Sequence, residues 1–170
     1  QPRVRFANFA LAAGCIHSLQ KVCAMPKQRI GLWLIGAKGG VATTVMTGLA
    51  ALSRQAIEPI GLVTALEPFT QLDLVDCAEI VVGGHDIRPG RLADEARRMW
   101  TDSRAIAPEL LDDAADFFAA VESRLRPGTI IAAGDKICEL ADPSVVSIVE
   151  TPRQAIDRVQ RDIENFAQAE

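Results

Sequence analysis

Two glycine-rich stretches hold the residues best suited to chemistry. The first, GAKGGVATT, runs from Gly36 to Thr44 behind the apolar run IGLWLI. Glycines between a buried strand and a helix make a phosphate cradle, because free backbone N–H groups and the positive end of the helix dipole face the same point. Two kinds of phosphate fit that description. A P-loop for ATP needs GxxxxGK[ST], in which the lysine reaches the terminal phosphates and the hydroxyl holds magnesium. Lys38 to Thr44 reads KGGVATT, one residue shorter than the KGGVGKTT form and without its second lysine. Lys38 would neutralise the terminal phosphates only in part. A dinucleotide instead needs glycines for a tight turn and for close approach of the backbone to pyrophosphate. Gly36, Gly39 and Gly40 supply that turn. The amides of Gly40, Val41, Ala42 and Thr43 are expected to face the phosphates, with the Thr43 and Thr44 hydroxyls as further donors.

The second stretch, VVGGHDI, spans Val81 to Ile87. Two glycines follow directly on an apolar strand, and His85 and Asp86 come next. In open α/β sheets ligands bind at the carboxyl ends of the strands. An ionised carboxylate only accepts hydrogen bonds, so Asp86 suits the two hydroxyls of a ribose. Glu67 is a second acidic candidate for that role. His85 would stack on a ligand or hydrogen-bond it. In the plainer alternative Asp86 caps a turn and His85 is a packed side chain.

The elements that must position these groups read as strands alternating with helices. Ile30–Ile35 is nearly all apolar, which suits a strand buried on both faces. Val41, Val45, Leu49 and Leu52 recur at three or four residues and predict a helix over Val41–Arg54, with Gly48 packed closely on the sheet. Further strands are expected at Ile60–Val63, Ala78–Val82 and Gly128–Ala132. Further helices are expected at Leu92–Trp100, Pro108–Leu125 and Pro152–Ala167, the last with Thr151 as its cap. This alternation calls for a Rossmann-like, doubly wound parallel sheet with crossover connections. The last helix should feed another strand, so the sheet is expected to be incomplete and the chain to be the first part of a longer protein.

Composition narrows the classes. The 170 residues carry 18 basic and 22 acidic side chains, a formal net charge of −4, and no long basic run. A nucleic-acid partner is not indicated. The four cysteines, at positions 15, 23, 77 and 138, form no CxxC pair and have no histidine at zinc-ligand spacing. No metal site is expected, and the scatter fits a reduced, cytoplasmic protein. Residues 1–24 have no strong period; Arg3 and Arg5 before FANFALAAG make only a faint secretion signal. The run is too short to cross a membrane, which takes about 20 apolar residues. The expected organisation is a poorly ordered extension over 1–24 and a nucleotide-binding portion over 25–170.

The two glycine motifs, in this order and at this separation, resemble the N-terminal part of inositol-phosphate synthase, also called myo-inositol-1-phosphate synthase. LIGAKGGVATTVMTG looks like that family's NAD loop, whose common form is close to LVGWGGNNGSTLTAG. Gly36, Gly39, Thr44 and Gly48 agree with it, whereas Ala37, Lys38, Gly40, Val41 and Ala42 depart. DLVDCAEIVVGGHDI looks like the stretch ending in FGGWDI, with His85 in place of tryptophan. LADEARRM, the RPG of Arg126–Gly128 and TPRQAIDRVQRDIENF are similar too, particularly to a divergent bacterial branch. The resemblance runs from about Lys27 to the end.

The resemblance implies NAD as cofactor and a small sugar phosphate, glucose 6-phosphate, as substrate. It implies oxidation, intramolecular aldol cyclisation and reduction to an inositol monophosphate, an isomerase reaction of inositol biosynthesis. It implies a two-domain, cytoplasmic enzyme that is a homotetramer at full length. Gly36, Ala37, Lys38, Gly39, Gly40, Val41, Ala42, Thr43 and Thr44 would line the cofactor phosphates, Asp86 would hold the adenosine ribose, and Thr64 would approach the adenine or ribose. Preference for NAD over NADP is expected if Asp86 meets the ribose. The family's catalytic lysines and acids fall later in the chain, so no catalytic residue is assigned here, Lys136 included. Three other readings stay open: another NAD(P)-dependent oxidoreductase with the same half-domain, an ATPase of the KGGV type, and a non-catalytic nucleotide-binding module.

Overall fold

A computed structural model describes residues 29–169. The expectation for residues 1–24, with Cys15 and Cys23, lies outside the described residues. Strand β1 is Ile30–Ile35, as its apolar run predicts, and helix α1 follows at Gly40–Ser53. Strand β2 is Ile80–Asp86, and helix α2 is Leu92–Ser103. Helices α3, Pro108–Asp113, and α4, Ala115–Ser123, lead to the short strand β3, Leu125–Pro127. Two short helices, α5 at Asp135–Leu140 and α6 at Pro143–Val146, precede the long α7 at Pro152–Ala169.

The three strands lie in the order β1-β2-β3 and all run parallel. The register sets Ile30 beside Ile80, Leu34 beside Gly84, and Gly84 beside Leu125. Side chains alternate across a strand, so each face has its own set. Leu32, Leu34, Ile80 and Val82 face the core that α1 to α4 build with Met46, Leu92, Phe118 and Val121. Gly31, Trp33, Gly83 and His85 face α7. Trp33 meets Phe166 of that helix at 5.0 Å between ring centroids. A side chain on Gly83 would strike both of those rings. Helices lie on both faces and bury β2 along nearly its whole length; β1, at the edge of the sheet, is half-buried at Leu32–Leu34 and exposed at both ends, so the expected burial on both faces does not hold for it. The architecture is α/β, a three-stranded parallel sheet flanked by helices, consistent with a Rossmann-like module.

Several expectations need correction. Ile60–Val63 is a turn leading into the 3₁₀ segment Val63–Ala65 and forms no strand. Gly61 has a φ of +86°, incompatible with extended backbone, and Ile60 is 86% exposed with no sheet to cover it. The strand expected at Ala78–Val82 begins at Ile80 and continues through both glycines to Asp86. The helix expected over Pro108–Leu125 is broken at Ala114, although Ala114 and Phe118 keep its i→i−4 bonds going. The strand expected at Gly128–Ala132 is displaced to Leu125–Pro127. Proline tolerates that place because a short strand's last residue needs no ladder donor, and Ala132 at φ +56° cannot continue an extended chain. Gly48 packs on nothing, since a Cβ there would meet no atom within 4 Å. The Thr151 cap holds. The Thr151 amide donates to Gln154 Oε1 at 2.8 Å, and the Gln154 amide donates back to Thr151 Oγ1 at 3.4 Å, a reciprocal capping box. Among the described residues no helix is long and apolar enough to cross a membrane.

Candidate functional site

The carboxyl edge of the sheet opens into a cleft of about 530 Å³. Ile35, Gly36 and Gly39 form one side, His85 to Arg88 the floor, and Gly128, Thr129 and Val159 the other side. The glycine loop is bolted to the end of β2 by consecutive amides. Gly36 N–H and Ala37 N–H both donate to the His85 carbonyl, at 2.8 and 3.1 Å. Lys38 N–H donates to Asp86 Oδ2 at 2.5 Å, and Arg88 N–H to Asp86 Oδ1 at 2.7 Å. Gly36 turns the chain at a φ of +80°, which side-chain-bearing residues rarely adopt.

The first helical amide bond of α1 runs from Thr43 to the Gly39 carbonyl, so the amides of Gly40, Val41 and Ala42 precede it. Gly39 offers no side-chain cap and the first turn has no acidic residue. No side chain caps these three donors, and the positive end of the helix dipole lies with them, the arrangement by which a helix N-terminus holds an anion. The threonines behave otherwise than expected. Thr43 is fully buried, and its hydroxyl donates to the Gly39 carbonyl; the exposed Thr44 donates to the Gly40 carbonyl. Val41 is 82% exposed beside the loop, and Ala37 and Ala42 are buried beneath it. Lys38 turns away, its ammonium donating to the Arg88 carbonyl at 2.8 Å.

The structure brings Gly36 to Thr44 and Asp86 together but leaves Thr64 apart, exposed on its 3₁₀ turn and outside the cleft lining. Glu67 accepts from Thr70, and Lys136 pairs with Glu139 on α5. His85 lines the cleft floor with both ring nitrogens already engaged. The Trp33 indole can only donate, so Nδ1 accepts from it at 2.9 Å. The ring proton then sits on Nε2, 3.0 Å from Asp162 Oδ2 of α7. Arg88, Gly128, Thr129 and Val159 were not singled out from the sequence. Arg88 lies two residues after Asp86, and Gly128–Thr129 close the RPG stretch at the end of β3, which are usable local signals; Val159 has none, since only the packing of α7 brings it here.

Two carboxylates near the cleft are shifted. Hydrogen bonds from the Ser144 side chain and amide hold Asp142 below the usual carboxylate range, with Lys38 adding a smaller attraction. The Arg158 guanidinium does the same for Glu150, below its ordinary 4.5. A carboxylate depressed in the folded state stabilises fully above its unfolded value and ceases to do so as pH falls through the folded one. The urea midpoint of the wild type should therefore exceed that of Glu150→Gln above pH 4.5, with the gap closing below it. A gap that persists unchanged in acid would count against the ion pair. Among the described residues no group of three or more His, Cys, Asp or Glu could hold a metal ion.

Residues 30–170 match a family model described as myo-inositol-1-phosphate synthase, labelled as an NAD-binding family. No curated protein matches the chain.

Proposed function

The chain belongs to the myo-inositol-1-phosphate synthase family, and on that premise we propose that its cleft is the NAD site of an enzyme converting glucose 6-phosphate to an inositol monophosphate. The observation that carries this reading is the glycine loop clamped to the end of β2, which puts Gly36 and Gly39 in the cleft lining with the uncapped N-terminus of α1 directly after them. The residues present fit a dinucleotide. A pyrophosphate needs uncapped helix donors, and a ribose needs an acceptor, which Asp86 provides beside the loop. When bound, NAD supplies hydride acceptance and return for an oxidation, aldol closure and reduction.

The chain's own part is to hold and orient. Gly36, Ala37, Lys38 and Gly39 shape the turn through amides spent on β2 and within the loop. Gly40, Val41 and Ala42 meet the pyrophosphate. Thr43 and Thr44 brace the first turn of α1, and Asp86 sits at the adenosine ribose. Thr64 remains a proposal for the adenine end. No catalytic residue is assigned. The enzyme is proposed to be a cytoplasmic homotetramer.

Calorimetric titration with NAD, NADP and ATP–Mg²⁺ tests the reading. NAD should bind saturably and NADP more weakly, since its 2′-phosphate would meet the Asp86 carboxylate. ATP–Mg²⁺ binding without NAD binding overturns the proposal in favour of an ATPase.

A further inference from the structure

The wall of the cleft opposite the glycine loop is held by one arginine that does not line it. Arg158, on α7, is mostly buried, with 21% of its side chain exposed. Its Nε and Nη2 grip both oxygens of Glu150, at 2.9 and 2.7 Å. The remaining donors reach back to the sheet: Nη1 to the Pro127 carbonyl at 2.6 Å and Nη2 to the Gly128 carbonyl at 3.0 Å. The Gly128 amide in turn donates to the Asp86 carbonyl at 2.8 Å. Asp162, one turn along α7, lies 3.9 Å from Nη1 and holds His85 on the cleft floor. The guanidinium thus ties together the ends of β2 and β3, residue 150 and the helix that carries Val159. A planar fork with five donors can serve these acceptors at once, which a lysine cannot.

We propose that Arg158 is a positioning residue of the cleft: it fixes the Gly128–Thr129 wall against α7 and so sets the opening available to the ligand, without touching it. Glu150 orients the fork. For its affinity arm alone the proposal rests on the reading of the cleft as an NAD site.

The test compares wild type, Arg158→Lys and Glu150→Gln by amide hydrogen exchange of the ligand-free protein and by NAD titration. Both substitutions should speed exchange of the Gly128 amide about tenfold, the effect of losing roughly one charge-assisted hydrogen bond. The amides of the β1–β2 ladder should keep their wild-type rates, because the change is local. The dissociation constant for NAD should rise about tenfold in both variants. Arg158→Lys keeps the charge and should not rescue. Unchanged Gly128 exchange in both variants overturns the proposal, as does acceleration spread evenly over the sheet, which would report a merely structural role. If wild type binds no NAD, the cofactor reading fails and the exchange result alone decides the role of Arg158.

Discussion

Gly84→Ala is expected to lower stability by about 3 kcal/mol or more. The added Cβ would lie 2.2 Å from the Leu34 carbonyl oxygen, 3.1 Å from its carbon and 3.2 Å from the Ala37 Cβ. Two of these three atoms are backbone, and Leu34 is the register partner of Gly84, so the clash cannot be relieved by a rotamer change. β1 would have to move off β2, and the loop bonded to His85 and Asp86 would move with it. Gly48→Ala is the matched control. Its Cβ meets nothing within 4 Å, and the position is inside α1. It should stabilise by about 0.5–1 kcal/mol through backbone entropy. Urea unfolding of the two variants checks both signs. A wild-type midpoint for Gly84→Ala would show that the close approach of β1 to β2 is absent.

The same glycines mark where sequence reading succeeds and where it stops. IGLWLI and the periodic apolar positions of α7 identify their elements, whereas the α1 stripe finds the helix but not its buried face: Val41 and Val45 are exposed, and Ala42, Met46 and Ala50 pack on the core instead. Gly83 and Gly84 look like the end of a strand, since glycine weakens an isolated strand. In the fold they are its middle, one leaving room for Trp33 and Phe166, the other for the Leu34 backbone. That need comes from neighbours 50 or more residues away in the chain and has no local signature. Ile60–Val63 errs the opposite way: three apolar side chains in four residues suggest a strand, but nothing pairs with them. The short helices α5 and α6 carry too few turns for periodicity to register.

The candidate site divides similarly. Its glycine loop and Asp86 were legible because a phosphate cradle and a carboxylate at a strand end have fixed chemistry. What Asp86 bonds to was not. Its oxygens accept from Lys38 and Arg88 amides, and the former contact joins two motifs 48 residues apart. Arg158 was illegible altogether, one of several arginines on α7, its importance set by the carbonyls it reaches.

Asp86→Ala is expected to weaken NAD binding about a hundredfold, close to the loss of two charge-assisted hydrogen bonds' worth of order. The carboxylate is buried, with the residue 8% exposed, and it accepts amides at 2.5 and 2.7 Å. Its removal leaves the Lys38 amide without its partner at the centre of the turn. The loop would then have to be ordered by the ligand, and that cost appears as lost affinity. Asp86→Asn keeps the shape, yet either the Lys38 or the Arg88 amide must then face an NH₂ donor, so it should rescue only in part. The ratio of NAD to NADP affinity separates the two jobs assigned to this residue. An ionised carboxylate has about four acceptor sites, so two amides leave room for ribose hydroxyls. If Asp86 also meets the ribose, alanine should favour NADP relative to NAD by removing the charge that opposes the 2′-phosphate. If it only braces the loop, both cofactors lose affinity in equal proportion. Wild-type NAD affinity in Asp86→Ala would defeat both roles, because each requires the carboxylate.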